Sequence, residues 1–369
     1  MIRSLVLKSD WVLLGIVFVL IALGVAMIYS CTHLDTRHGV QRWALQLIWI
    51  AFGLVLLILM GAFDYVRLQP LAPALYGFCL ALMCVVLVFS RHVRGAQRWI
   101  PLGPFHLQPT EIAKIAAVIT LASYLANRED KPLDIKTAAI SLAILFPAMA
   151  LALLQPDMGT PVVLFGAWLC MLFVAGAQPV HLVGITATLV WTFAAAWMTH
   201  LIKPHQKGRL LAFLNPNADP QGAGWQVKQA LVAVGSGRFF GQGYLRGTQT
   251  QLNFIPDQEA DFIFTAIAEE LGFFGSLVVL SLLAVVLYRA LSIANAARDA
   301  FGRLLAAGFA GVLMTHIVVN VGMTLGLAPV KGMPLPFLSY GGSNMIACMI
   351  IVGLLNSIHL RRRRIDFDF

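Results

Sequence analysis

Ten apolar runs decide what this chain can become: residues 11–30, 43–63, 71–90, 112–126, 137–154, 160–177, 182–199, 262–288, 304–326 and 342–360. A helix of roughly 17–25 apolar residues matches the hydrocarbon thickness of a bilayer. Only 12% of the residues are charged and 59% are hydrophobic, with a mean hydropathy of +0.81. A soluble globular protein carries about 25% charged residues, and no single aqueous core could hide this much apolar surface. The expected fold is an all-α polytopic membrane protein of about ten transmembrane helices, forming one domain over residues 1–369.

The first run follows Arg3 and Lys8. It is longer than the apolar core of about 7–15 residues found in a signal peptide, and no small-residue cleavage site follows it cleanly. It therefore reads as a first membrane helix. The five cysteines are scattered, mostly within the runs, and no spacing among them suggests zinc or a disulfide framework.

Orientation follows from Lys and Arg. With the N-terminus inside, the inner segments hold 13 of these cations and the short outer loops hold six. Cationic short loops stay cytoplasmic, so both termini are expected inside, including the RRRRIDFDF tail at 361–369. The long polar connections then all lie outside, at about 91–110, 200–260 and 325–343. The largest joins the seventh and eighth spans. Loops longer than about 15 residues usually serve a function or are disordered, and the aromatic content of 200–260 argues against disorder. The working face is expected to be extracytoplasmic.

Ionisable groups inside a membrane are functional candidates by default. QPTEIAKIA places Glu111 and Lys114 three residues apart, neighbours on one helix face. They could form a self-neutralising pair or support chemistry. In QPDMGT, Asp157 stands between two spans and could simply cap the next helix. The outer loops carry Arg98, Lys203, Arg209, Arg238 and Arg246, the last two interleaved with glycines in GSGRFFGQGYLRG. Backbone nests and guanidinium groups of this kind can hold a diphosphate, although turn glycines and solvated cations explain them too. In IPDQEADFIFTAIAEELG, Asp257 and Glu259 read as solvated loop charges, and Glu269 and Glu270 as interhelical polar contacts. Asp261 stands at the water–membrane boundary. Taken along one continuous helix, Glu269 lies about 12 Å beyond Asp261. Two-carboxylate glycosidases hold their pair about 5–9.5 Å apart, so Asp261 is expected to act alone.

RGAQRWIPLGPFHLQPTEIAK, LLQPDMGT, GTQTQLNFIPDQEADFIFTAIAEELG and PLPFLSYGGS, in this order, resemble the SEDS family of cell-wall polymerases. The GTQTQ and PLP segments look most like its elongation branch, with the division branch as the alternative. The resemblance implies a peptidoglycan glycosyltransferase of the bacterial cytoplasmic membrane, joining lipid II units into glycan at the outer face. The family's essential Asp falls on Asp261, and its fourth-span Glu and Lys fall on Glu111 and Lys114. The chain departs from the commoner PERHTDFIF form, with Asp257 in place of Glu and Glu259 in place of His.

A diphosphate is already a good leaving group. The chemistry needs a base for the acceptor sugar's 4-hydroxyl, for which Asp261 is the candidate, and positive charge on the departing diphosphate. Lys203, Arg209, Arg238 and Arg246 are the candidates for that charge, with Arg98 and Lys114 as helpers. No cofactor is required by the sequence; a divalent cation (Mg or Mn) could share the work. The implied partners are lipid II, a class B penicillin-binding protein, other elongation-complex proteins and membrane lipids, with no nucleic acid. A transporter or lipid II flippase would instead place its polar residues near the bilayer midplane between repeats. No internal repeat is visible, and the polar residues gather at one face.

Overall fold

The computed structural model describes residues 8–34, 41–89, 99–102, 105–128, 134–178, 180, 183–184, 186–187 and 222–362. In chain order the elements are α1 (Trp11–Thr32), α2 (Arg42–Ala62), a 3-10 turn (Tyr65–Arg67), α3 (Leu68–Phe89), β1 (Ile100–Leu102), β2 (Phe105–Leu107), α4 (Pro109–Ala126) and α5 (Ile135–Leu154). There follow α6 (Gly159–Val174), α7 (Ala223–Ser236), α8 (Thr248–Gln251), α9 (Gln258–Asp261), α10 (Ile263–Asn295), α11 (Ala300–Thr324) and α12 (Gly342–Leu360). Eight of these are long and apolar enough to cross a membrane, and the shorter α6 is a further apolar helix. Nine of the expected spans coincide with a helix to within about one turn at their starts. The seventh, 182–199, falls almost wholly outside the described residues.

Burial sorts the helices. The most apolar windows of α4, α11 and α12 are 72%, 72% and 83% buried, whereas those of α2 and α10 are 28% buried. The first three form the centre and the others turn apolar faces such as Phe52, Ile58 and Phe274 outward. Small residues permit the close crossings that membrane helices favour. A Cβ on Gly311 of α11 would lie 2.8 Å from Ala167 of α6.

Aspartates fix several helix starts by accepting from the otherwise unpaired amides of the first turn. Asp10 accepts from Leu13 N (3.1 Å), Asp134 from Thr137 N (2.8 Å) and Asp299 from Gly302 N (2.8 Å). Asp10 also receives Arg289 Nη2 at 2.6 Å, and its own N–H donates to Asn356 Oδ1 at 3.1 Å. These bonds clamp α1, α10 and α12 together at the end that charge counting assigns to the cytoplasm.

The long α10 is not one straight helix. Gly272 has φ 69° and ψ −164°, and the chain bends there. This backbone region is essentially restricted to glycine. The space beside Gly272 is filled by the backbone of Phe239, Phe240 and Gly241. Phe273 N donates to Arg238 O (2.9 Å), and Gln242 N donates to Glu269 O (2.9 Å). The glycines of GSGRFFGQGYLRG thus let one backbone lie directly against another. Gly272→Ala is expected to cost about 1–3 kcal/mol from backbone strain alone, with the clash added. The check is a lowered melting temperature and reduced monodisperse protein after detergent extraction.

Candidate functional site

The polar residues converge at the ends of the helices assigned to the outside. Asp261 closes the four-residue α9, and Phe262 (φ −120°, ψ 28°) breaks the chain before α10 begins. The expectation of one continuous helix from Asp261 to Glu269 is therefore corrected: the axial reckoning between them does not apply across this break. Thr265 N bonds back to Phe262 O (2.9 Å). The Asp261 carbonyl is instead taken by Asn320 Nδ2 of α11 at 2.8 Å. The Asp261 side chain is half-buried. A Cβ on Gly332 would lie 3.0 Å from its Oδ2, so the loop between α11 and α12 passes directly beside the carboxylate.

Glu259 is not a solvated loop charge, whereas the Asp257 side chain stays open to solvent. Glu259 is buried and ion-paired with Arg42 at the start of α2, and Asp257 lies 3.9 Å from the same guanidinium. Glu259 O also accepts from Tyr340 N at 2.8 Å. Burying a carboxylate is tolerable only when it is paired. The pairing fastens the turn carrying Asp261 to α2 and to the SYGG loop.

Glu269 and Glu270 make the interhelical polar contacts expected of them. Glu269 is fully buried and accepts from Gln249 N (2.8 Å), Thr250 N (3.0 Å) and Thr250 Oγ1 (2.7 Å). A carboxylate suits the amides at a helix N-terminus, and here it holds the GTQTQ turn in place. Glu270 accepts from Ser30 Oγ of α1 at 2.5 Å and Gln251 Nε2 at 3.3 Å.

The fourth-span pair meets as its spacing implied. Lys114 Nζ lies 2.9 and 2.8 Å from the two oxygens of Glu111. A third partner was not read from the sequence: His316 Nε2 of α11 is 3.0 Å from the same nitrogen. His316 Nδ1 faces Pro334 O at 3.1 Å. A carbonyl can only accept, so the ring proton sits on Nδ1 and Nε2 accepts from the ammonium. The three donors of Lys114 are thereby engaged, which suits it to support rather than to direct diphosphate contact. A small cavity adjoins the cluster, lined in part by Glu111, Lys114, His316, Asn344 and Cys348.

Asp157 is buried and caps α6, accepting from Gly159 N (3.0 Å), Thr160 N (3.3 Å) and Thr160 Oγ1 (2.8 Å). The side chain of Met333 packs beside Gly159, so this cap also braces the loop next to Asp261. Asp157→Ala is expected to cost about 1 kcal/mol as a lost cap, read as a modest fall in melting temperature with polymer synthesis retained.

Arg98, Lys203 and Arg209 lie outside the described residues. Arg238 and Arg246 are exposed on the segment that packs against the bend of α10. His316 and Asn320 carried a signal that could have been used, being polar residues four apart in the otherwise apolar HIVVNVG.

A family model described as cell cycle protein, covering FtsW, RodA and SpoVE, matches residues 10–364. The peptidoglycan glycosyltransferase MrdB of Escherichia coli K12 is 39% identical over 317 residues, covering 86% of this chain and 85% of that protein. The crystal structure of the rod-shape determining protein RodA of Thermus thermophilus superposes with a TM-score of 0.72 at 31% identity, over 96% of this chain and 98% of that one. A chain from a peptidoglycan synthase complex that coordinates polymerization and crosslinking gives a TM-score of 0.81 at 33% identity, over 95% of this chain and 97% of that one.

Proposed function

The chain belongs to the FtsW/RodA/SpoVE family and is a peptidoglycan glycosyltransferase, and we propose that it polymerises lipid II at the outer face of the cytoplasmic membrane during cell elongation. The observation that carries this reading is the placement of Asp261. A half-buried carboxylate stands where α9, α11 and the loop beside Gly332 meet, with its turn fastened by Arg42 and Asn320.

In this reading Asp261 takes the proton from the acceptor's 4-hydroxyl as that oxygen attacks the anomeric carbon of the donor. The bond to the undecaprenyl diphosphate breaks and the diphosphate leaves as an anion. Positive charge on that leaving group would come from Arg238 and Arg246, with Arg98, Lys203 and Arg209 as further candidates. Attack from the face opposite the leaving group turns an α-linked donor into a β-linked glycan. Among the described residues no three His, Cys, Asp or Glu side chains gather as a metal-holding set. A divalent cation bound here would take Asp261 and substrate oxygens as ligands. The likeness to a chain of a polymerising and crosslinking complex supports a class B penicillin-binding protein as partner.

The test is reconstitution in vesicles carrying lipid II, measuring both polymer and transbilayer movement. Polymer without accelerated movement is expected. Accelerated movement with no polymer, even with the partner added, would establish the flippase reading instead.

A further inference from the structure

Asn320 of α11 is fully buried, where an uncharged amide is still expensive unless its hydrogen bonds are made. Both of its donors are used on main-chain carbonyls: Nδ2 reaches Asp261 O at 2.8 Å and Met333 O at 2.6 Å. Two carbonyl partners fix which end of the amide faces them, because a carbonyl can only accept. One turn earlier on the same helix, His316 Nδ1 reaches the next carbonyl along, Pro334 O, at 3.1 Å. Two side chains of α11 therefore hold consecutive carbonyls of the loop that passes beside Asp261. Asn320 alone also holds the Asp261 residue itself. Its own Oδ1 is buried and finds no partner among the described residues. The hydrogen bonds Asn320 makes are therefore those of its two donors.

The geometry points to Asn320 as a positioning residue for Asp261, tying the carboxylate-bearing turn to the Met333–Pro334 loop and so fixing how far Asp261 projects toward the substrate. This rests on the reading of Asp261 as the base. Asp261 ends the single-turn α9, and the chain breaks at Phe262 just beyond it. The loop is irregular, running from Gly326 to Gly341 without helix or strand. A bridge between two such segments sets a catalytic distance that neither would keep alone. A misplacement of about 1 Å in a reacting group can cost about a hundredfold in rate.

The experiment compares kcat and KM for lipid II polymerisation in the full-length wild type, Asn320→Leu, Asn320→Gln and Asp261→Asn. Asn320→Leu keeps size and loses both donors. It is expected to lower kcat about 30–100-fold, with KM changed by less than about threefold, the pattern of an interaction felt in the transition state. Asn320→Gln keeps a two-donor amide and is expected to recover kcat to within about tenfold of wild type. Asn320→Ala serves as a second donor-free variant, and melting temperature confirms that each protein is folded. Wild-type kcat in the donor-free variants, a loss confined to KM, or equal losses for Gln and Leu would each overturn the inference. If Asp261→Asn polymerises like wild type, the base reading itself has failed. If Asp261→Asn is inactive and the Asn320 variants are unaffected, only the positioning role has.

Discussion

Asp261→Asn is expected to reduce glycan polymerisation by about 10²–10⁴-fold, the range contributed by a positioned general base. The substitution preserves shape and volume, and removes only the oxygen able to take a proton. Two anchors of the turn do not involve the carboxylate. The bond from Asn320 goes to the Asp261 backbone carbonyl, and the ion pair to Arg42 comes from Glu259. Melting temperature and detergent elution check that the variant is folded. Loss of the base should appear chiefly in kcat, since binding of both sugars is retained. A scaffold protein would show no penalty at this position. Equal polymer from wild type and Asp261→Asn would remove the base assignment.

The second large effect is expected from the pair inside the membrane. Glu111 and Lys114 are both buried, and Lys114 donates to both Glu111 oxygens and to His316. Removing one partner of such a pair leaves a bare charge and typically costs about 3–5 kcal/mol. Lys114→Met and Glu111→Gln should each show this as a large fall in melting temperature and in recovered folded protein. Replacing both by apolar or neutral groups of similar size is often close to neutral. The double variant Glu111→Gln, Lys114→Met is therefore expected to recover most of the stability. Its polymerisation rate should recover to within about tenfold, because an ammonium already engaged three ways has no donor left for substrate. A folded double variant without activity would instead place Lys114 among the groups that touch the diphosphate.

What could be read from the sequence was local. The apolar runs became helices because length and hydropathy in a bilayer leave few alternatives. Glu111 and Lys114 meet because a helix brings residues three apart together. Asp157 caps α6 because PDMGT already holds the capping residue and the amides it needs. What could not be read was set by distant chain. Glu259 looked solvated because its partner, Arg42, stands at the start of another span. The bend of α10 was hidden because FIFTAIAEELGFFGSL reads as one apolar helix. Its glycine becomes a hinge only where the backbone of Gly241 lies against it. His316 and Asn320 were visible as polar residues in a span, yet their partners on the Pro-rich loop follow only from tertiary packing.

The central claim is a single displacement assisted by one carboxylate, and the anomeric configuration of the product tests it most directly. Purified wild-type protein would be given α-linked lipid II, and the linkage of the new glycan read by NMR. One displacement inverts the centre, so β-linked strands are expected. An α-linked product would require two displacements and a covalent intermediate, and would contradict the account.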